Sequence, residues 1–407
     1  MGNAVKQNPF APGFDGKAPP LIAGRENEKK QILAVVEDTL QGAPGSQDAI
    51  LIGLRGMGKT TLLNWLRQHV ERGRKTGSLS SRVRIEGPVS RIHEPWEIDL
   101  LFRKKSIFSK LKVVEIGARH IRGKLDLNER RHAELVGQVV RQTRKSPLIV
   151  LIDEAHELSG KQLQALFCIT QDSRNRGGAV IVVMAGTPHL MERLVDAKVT
   201  FAERAEYVDV GPLDSDASRE AIMAPLRDFG GIGIAQDALE AVVQNSQQYP
   251  YFLQLWGTTL WRHAMAEGRE TLDLEDVEEC DKEVRKSRNA LYERRCKRWN
   301  PEERKFLVEI GRRLGEGMRL NKAGLEVLVA RYLAAEGKDP GDAQPYVAKA
   351  INEGALWKRQ EERVYGPGIP SFLSYLEQEG GDDRKCRTLG REWSAICCGF
   401  ASLTHGA

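Results

Sequence analysis

The chain has 407 residues, 41% hydrophobic and 29% charged, with a formal net charge of +5 at pH 7. This is the profile of a soluble globular protein long enough for two or three domains. No apolar run approaches the roughly 18 residues that a membrane span requires. Its six cysteines (Cys168, Cys280, Cys296, Cys386, Cys397, Cys398) form neither a C-x-x-C pair nor a disulfide framework, so a reducing cytoplasm is expected.

The first 20 residues are rich in Pro and Gly, with Pro9, Pro12, Gly13, Pro19 and Pro20, and are expected to form an extended lead-in. Met1 to Gly24 lacks the charged-then-apolar order of a signal peptide, so export is not expected. A helix follows, with Ile32, Leu33, Val36 and Leu40 on one face, Glu26 and Glu28 in its first turn, and Gly42 closing it. Gly24-Arg25-Glu26 at its start is either a plain loop-to-helix junction or a stretch whose backbone positions a nucleotide base.

Ala49-Ile50-Leu51-Ile52 reads as a buried strand. It runs into Gly53-Leu54-Arg55-Gly56-Met57-Gly58-Lys59-Thr60, and Leu62, Leu63, Leu66 and Val70 then recur at helical spacing. This is G-x-x-x-x-G-K-[ST] between a strand and a helix, the context that gives the motif its meaning. Glycines allow the tight turn that points successive N–H groups at a phosphate, and the helix N-terminus adds partial positive charge. Lys59 would reach the β- and γ-phosphates, and the Thr60 hydroxyl would hold Mg²⁺. The residues therefore predict a nucleoside triphosphate site.

Arg82 to Glu86 alternates as a short strand. Between residues 92 and 146 the pattern is mixed, with a helix expected from Glu129 to Arg144. Arg103, Lys104, Lys105, Lys110, Lys112, Arg119, Arg122 and Lys124 read more simply as a solvated face than as a nucleic-acid surface. Leu148 to Ile152 is continuously apolar, as in a strand buried on both faces of a parallel sheet. It ends in Asp153-Glu154-Ala155-His156, at the strand end where open α/β sheets bind ligands. Asp153 would hold Mg²⁺ through water and Glu154 would deprotonate the attacking water. His156 reads as helix-start packing rather than catalysis.

A helix from Gly160 to Arg174 precedes a second buried run, Ala179 to Ala185, that ends in Gly186-Thr187-Pro188. Thr187 either touches the γ-phosphate or the lytic water, or closes a plain turn. Arg204, just before a strand at Tyr207 to Val210, could project across a subunit interface to the transition state. From Asp214 to about Glu279 the pattern is helical without strands, a lid over the nucleotide, with Pro250 suited to a helix's first turn. Residues 281–300 carry eight Lys/Arg against three acids. Helices at 301–314, 322–335 and 343–354 and a hairpin at 355–366 give a winged-helix order, although residues 301–379 hold 12 basic and 13 acidic side chains. Residues 380–407 show no period and read as a disordered tail.

Over roughly residues 8–378 this combination resembles the AAA+ ATPases, in particular their origin-recognition-like branch in bacteria and archaea. The resemblance implies an α/β P-loop NTPase fold of AAA+ type, with a parallel sheet sandwiched by helices, a helical lid and a winged-helix-like domain. The corresponding ranges are a lead-in at 1–20, core at 21–211, lid at 212–280, basic linker at 281–300, winged helix at 301–379 and tail at 380–407. It implies ATP and Mg²⁺ as cofactors. Gly24-Arg25 would lie near the adenine, and Gly53 to Thr61, including Arg55, Gly56, Met57 and Gly58, around the phosphates. Asp153 and Glu154 would be the metal and base residues, Thr187 the strand-four sensor and Arg204 the arginine finger. The lid's Gly-x-Pro motif falls on Gln248-Tyr249-Pro250; its glycine is replaced, and the nearest lid arginine, Arg262, is three turns further on.

The resemblance implies an ATP-hydrolysing switch acting on DNA or a DNA-bound partner and assembling with further copies. The alternative is a nucleotide-gated scaffold whose residues 281–379 bind protein. Helicase strand-binding motifs are not found, and a small-molecule kinase would not need this tail.

Overall fold

A computed structural model of the protein describes residues 7–10, 19–43, 47–90, 101–102, 129–315, 319–359, 364–369 and 371–379. The basic side chains between 103 and 124 and the tail from 380 lie outside the described residues. The chain divides into two compact units, residues 1–285 and 286–407.

The first unit is built on five parallel strands: β1 (Ala49–Ile52), β2 (Arg84–Val89), β3 (Leu148–Ile152), β4 (Val180–Gly186) and β5 (Glu206–Asp209), in the order β2-β3-β4-β1-β5. Every residue of β1, β3 and β4 is buried, the reason these strands read as unbroken apolar runs. β2 is an edge strand, half-buried throughout. It begins two residues and ends three residues further on than its alternation suggested, and shifts register between Glu86 and Val89.

Helix α1 (Glu26–Gln41) buries Ile32, Val35 and Val36, and ends at Gly42 in the left-handed region. Helix α2 (Lys59–Thr76) buries Leu62, Leu63, Leu66 and Val70. Helix α3 (Glu129–Thr143) buries Leu135, Val136, Val139 and Val140. Helix α4 (Gly160–Asn175) opens with a capping box, Ser159 and Gln162 each satisfying the other's backbone N–H. A shorter helix, α5 (His189–Asp196), follows β4.

Ahead of β1, at the edge of the sheet where the strands begin, Asp48 is buried. It accepts hydrogen bonds from both terminal nitrogens of Arg174 (2.8 and 2.9 Å), from the Thr170 hydroxyl (3.1 Å) and from the Val182 amide (2.8 Å). One carboxylate thus ties together β1, β4 and α4.

The helical part of this unit comprises α6 (Ser215–Pro225), α7 (Gln236–Ser246), α8 (Pro250–Glu267) and the first turns of α9 (Leu274–Cys296). Asp214 caps α6 by accepting from the Ala217 amide, and Pro250 is the first residue of α8. Ile222, Leu239, Leu253, Trp256, Trp261 and Val277 form its core.

Two expectations are corrected here, and the expected lead-in gains a packing role. A parallel pair of two-residue strands, β6 (Gly233–Ile234) and β7 (Thr271–Leu272), interrupts the region expected to be strandless; two residues carry no period to read. The segment expected to be a linker from residue 281 is helical as far as Cys296, with Val284, Tyr292 and Cys296 buried at helical spacing beneath its charges. Phe10, in the lead-in, belongs to the helical core: a Cβ on Gly257 of α8 would lie 2.2 Å from its ring.

The second unit contains α10 (Pro301–Gly315), α11 (Lys322–Ala335) and α12 (Ala343–Asn352), then an antiparallel hairpin of β8 (Leu356–Arg359) and β9 (Val364–Pro367). Leu320 forms a further bridge to Tyr365. A last helix, α13 (Phe372–Glu379), was not foreseen; Phe372 buries its ring beside Tyr292, at 5.7 Å between centroids.

Candidate functional site

Parallel strands deliver their C-terminal ends to one edge, and all but one of the strand-end and loop residues expected in the site gather there, Arg204 being the exception. Gly53 donates its amide to the Gly186 carbonyl at the end of β4 (3.2 Å). A Cβ at Gly53 would lie 2.4 Å from the Val210 carbonyl oxygen, so only glycine fits. Gly56 and Gly58 both have φ +91°, the left-handed backbone that turns the chain into α2. Met57 is buried and anchors the loop, whereas Arg55 is exposed and lies 3.8 Å from Glu157. Lys59 is only 5% exposed; its Nζ donates to the carbonyls of Gly53 (2.8 Å) and Leu54 (2.9 Å), inside the curve of the loop. Thr61 sits half-buried in the first turn of α2.

The Thr60 hydroxyl donates to Asp153 Oδ2 at 2.5 Å, across from β3. The other Asp153 oxygen accepts from the Glu154 amide (2.9 Å). Burial pushes the Asp153 carboxyl above its ordinary pKa, opposed by the Thr60 hydrogen bond. A hydroxyl and a desolvated carboxylate beside a phosphate loop are the hard-oxygen donors that Mg²⁺ takes when phosphates and water complete its shell. Among the described residues no group of three or more His, Cys, Asp or Glu could hold a metal.

Glu154 has left-handed backbone, φ 49°, and begins a short turn over Ala155–Glu157. His156, in that turn, is buried. Its Nδ1 accepts from the Thr187 amide (3.4 Å), and its Nε2 faces Glu154 Oε2 at 3.2 Å and Glu157 Oε1 at 3.5 Å. Burial lowers the imidazole pKa to about 4; Glu157 opposes this and Arg55, Lys59 and His189 add to it. The ring is therefore neutral near pH 7, and with Nδ1 accepting, its proton sits on Nε2, toward Glu154. Thr187 is buried at the tip of β4, between the strands that carry the phosphate loop and Glu154.

Arg204 is not brought to this cluster. It ends the short turn Thr200–Arg204 before β5, and Glu206 donates its amide to Asp48, so this turn lies at the opposite edge of the sheet. The Arg204 side chain is exposed there.

Arg25 does more than a backbone role would need. It is buried with φ 77°, and Nη2 donates to the carbonyls of Met57 (3.1 Å) and Gly211 (2.5 Å) while Nη1 binds Glu28 (2.7 Å). Its guanidinium joins the phosphate loop to the start of the lid. Gly24, φ 63°, lies against α6, where a Cβ would come within 2.8 Å of Ala217 Cβ.

At Pro250 the neighbouring side chains meet the loop. The buried Tyr249 donates its hydroxyl to the Arg55 carbonyl, and a Cβ on Gly56 would lie 3.0 Å from its ring and 3.1 Å from Tyr251 Cβ. Gln248, where the resemblance implied a glycine, adopts φ 61°. Arg262 is exposed, 3.9 Å from Glu283. Sequence reasoning missed Tyr249, the Arg25 side chain and the setting of His156; a tyrosine directly before the lid proline was the available signal.

Residues 46–194 match the family model described as an AAA domain. No curated protein matches the sequence. Among solved structures, the chain is similar to the ORC2 protein of Aeropyrum pernix in its ADPNP–ADP complexes. That likeness has 14% identity and a TM-score of 0.56, and covers 91% of this chain and 98% of that one. The ADP form of the same protein gives 14% identity, coverage of 90% and 96%, and a TM-score of 0.55. Cdc6p from Pyrobaculum aerophilum gives 16% identity, coverage of 90% and 97%, and a TM-score of 0.46.

Proposed function

We propose that this chain, which carries an AAA domain within the fold of an ORC-like AAA+ P-loop protein, binds ATP with Mg²⁺ and hydrolyses it as a molecular switch acting on DNA or a DNA-bound partner. The observation that carries the reading is the meeting of Lys59, Thr60, Asp153 and Glu154 at one edge of the sheet. The solved ORC2 complexes contain ADPNP and ADP, which supports a nucleotide in this place.

In this reading the loop from Gly53 to Thr61 wraps the phosphates, and Lys59 swings from the loop carbonyls to the β- and γ-phosphate oxygens. Mg²⁺, when bound, neutralises charge on those oxygens, and Thr60 and Asp153 would hold it. Glu154 accepts the proton of the attacking water. Thr187, at the neighbouring strand tip, orients the water or the γ-phosphate. Gly24, Arg25 and Pro250 flank the nucleotide from the start of the core and from the lid. Arg204 lies on the far edge, so it serves the site of a neighbouring copy and stabilises transition-state charge there.

The test is ATP affinity and steady-state turnover. Lys59→Ala should bind poorly. Glu154→Gln should retain ATP while turnover falls at least about tenfold, equivalent to roughly 1.4 kcal/mol of barrier. Arg204→Ala should bind normally and lose turnover; if its turnover is unchanged, the finger assignment is wrong.

A second reading, a nucleotide-gated scaffold with little hydrolysis, is favoured by the 12 basic and 13 acidic residues of 301–379 and by Gln248 in the lid motif. Wild type that binds ATP without turning it over would establish that reading. DNA binding through residues 281–379 would weaken steeply with salt in a mobility-shift assay with ATP present, whereas a protein-binding unit would give no shift.

A further inference from the structure

We infer that His156 is a positioning residue for Glu154, a rigid link that ties the carboxylate to the tip of β4 and leaves its second oxygen for the water. The inference rests on the hydrolase reading above. Glu154 Oε2 and His156 Nε2 are both buried, and neither has a hydrogen-bond partner of good geometry among the described residues. They face each other at 3.2 Å. Leaving a buried donor and a buried acceptor both unsatisfied is costly, and at 3.2 Å the two atoms are within hydrogen-bonding distance of each other.

The other ring nitrogen is already engaged, because Nδ1 accepts from the Thr187 amide. That contact fixes the tautomer and the plane of the ring, the arrangement by which one partner of an imidazole sets what the other nitrogen can do. The chain of contacts runs from the backbone of β4, through a ring that cannot flex, to the carboxylate at the end of β3. The Glu154 side chain is otherwise poorly restrained: it is 36% exposed and leaves a left-handed backbone position. Glu157, the other carboxylate near Nε2, is 64% exposed and solvated, so it competes weakly for the ring.

Two simpler roles fit less well. A histidine that merely fills the core would not direct its free nitrogen at a buried carboxylate oxygen. A histidine acting as the base would need an unoccupied nitrogen with a path to water, yet Nδ1 is occupied and Nε2 is buried.

The experiment measures kcat and KM for Mg-ATP, nucleotide affinity and melting temperature for the full-length wild type, His156→Ala and His156→Gln. The expected result for His156→Ala is a fall in kcat of about tenfold or more with KM and nucleotide affinity little changed, and a lower melting temperature from the emptied site and the unpaired Thr187 amide. His156→Gln, whose amide N–H can replace Nε2–H, should recover most of the rate. Should the alanine variant fail to fold, His156→Asn takes its place: it reproduces only the Nδ1 acceptor, so the glutamine variant should turn over several-fold faster.

A kcat for His156→Ala equal to wild type overturns the inference, as do equal losses in the alanine and glutamine variants or a loss that tracks nucleotide affinity. Wild type without turnover defeats the hydrolase reading and this role with it. Turnover that needs Glu154 but not His156 defeats the positioning role alone.

Discussion

Burial of His156 makes the stability of the first unit depend on pH by an amount the structure sets. The imidazole ionises at about 4 in the folded protein, because burial disfavours its charged form, against 6.5 for the ordinary group. As pH falls the unfolded chain takes up the proton first. Stability is therefore intact above pH 6.5 and is lost between pH 6.5 and 4. The gap is worth about 3 kcal/mol in full, and about 2 kcal/mol has gone by pH 5. His156→Gln removes this titration and leaves every other ionisable group in place. Urea unfolding of both proteins, followed by tryptophan fluorescence at pH 7.5 and pH 5, isolates the effect as a difference of differences. Wild type should lose about 2 kcal/mol more than the variant. Parallel losses, agreeing within about 0.5 kcal/mol, would refute the claim that the buried ring resists protonation.

Two further substitutions probe the frame of the site. Asp48→Ala leaves the Arg174 guanidinium buried beside β4 without its carboxylate, and should destabilise the protein by about 3–5 kcal/mol in urea unfolding. A loss below about 1 kcal/mol would show that this tie is dispensable. Gly53→Ala forces a methyl group against the Val210 carbonyl and displaces the phosphate loop. ATP affinity measured by equilibrium dialysis should fall more than tenfold, about 2 kcal/mol of strain, and wild-type affinity would show that the loop shifts freely.

What the sequence disclosed depended on how each element is buried. β1, β3 and β4 are covered on both faces, so their apolar runs are unbroken, and the polar residues that end them stood out at once. β2 was misjudged in extent because an edge strand alternates only loosely. The two-residue strands β6 and β7 left no trace. In α9 the charged residues lie on exposed turns and hide the sparse buried positions, so composition pointed to a linker where there is a helix. The site divides in the same way. Lys59, Thr60, Asp153 and Glu154 are local in sequence motifs, and the motifs suffice to find them. Arg25, His156 and Tyr249 act through contacts made across the fold: with Met57, Thr187 and Arg55. No spacing rule announces such partners.

The strand order also bears on how the protein is made. The phosphate loop hangs from β1, yet Ala49 pairs with Val183 on one side and Glu206 on the other, both synthesised long after it. At the usual 5–20 residues per second, on the order of ten seconds separates the emergence of the loop from that of its last supporting strand. Through that interval the nascent chain carries the loop's amino acids without its shape, since neither flanking strand exists to hold β1 in register. A chain interrupted before β4 would keep the complete motif without either of the strands that flank β1.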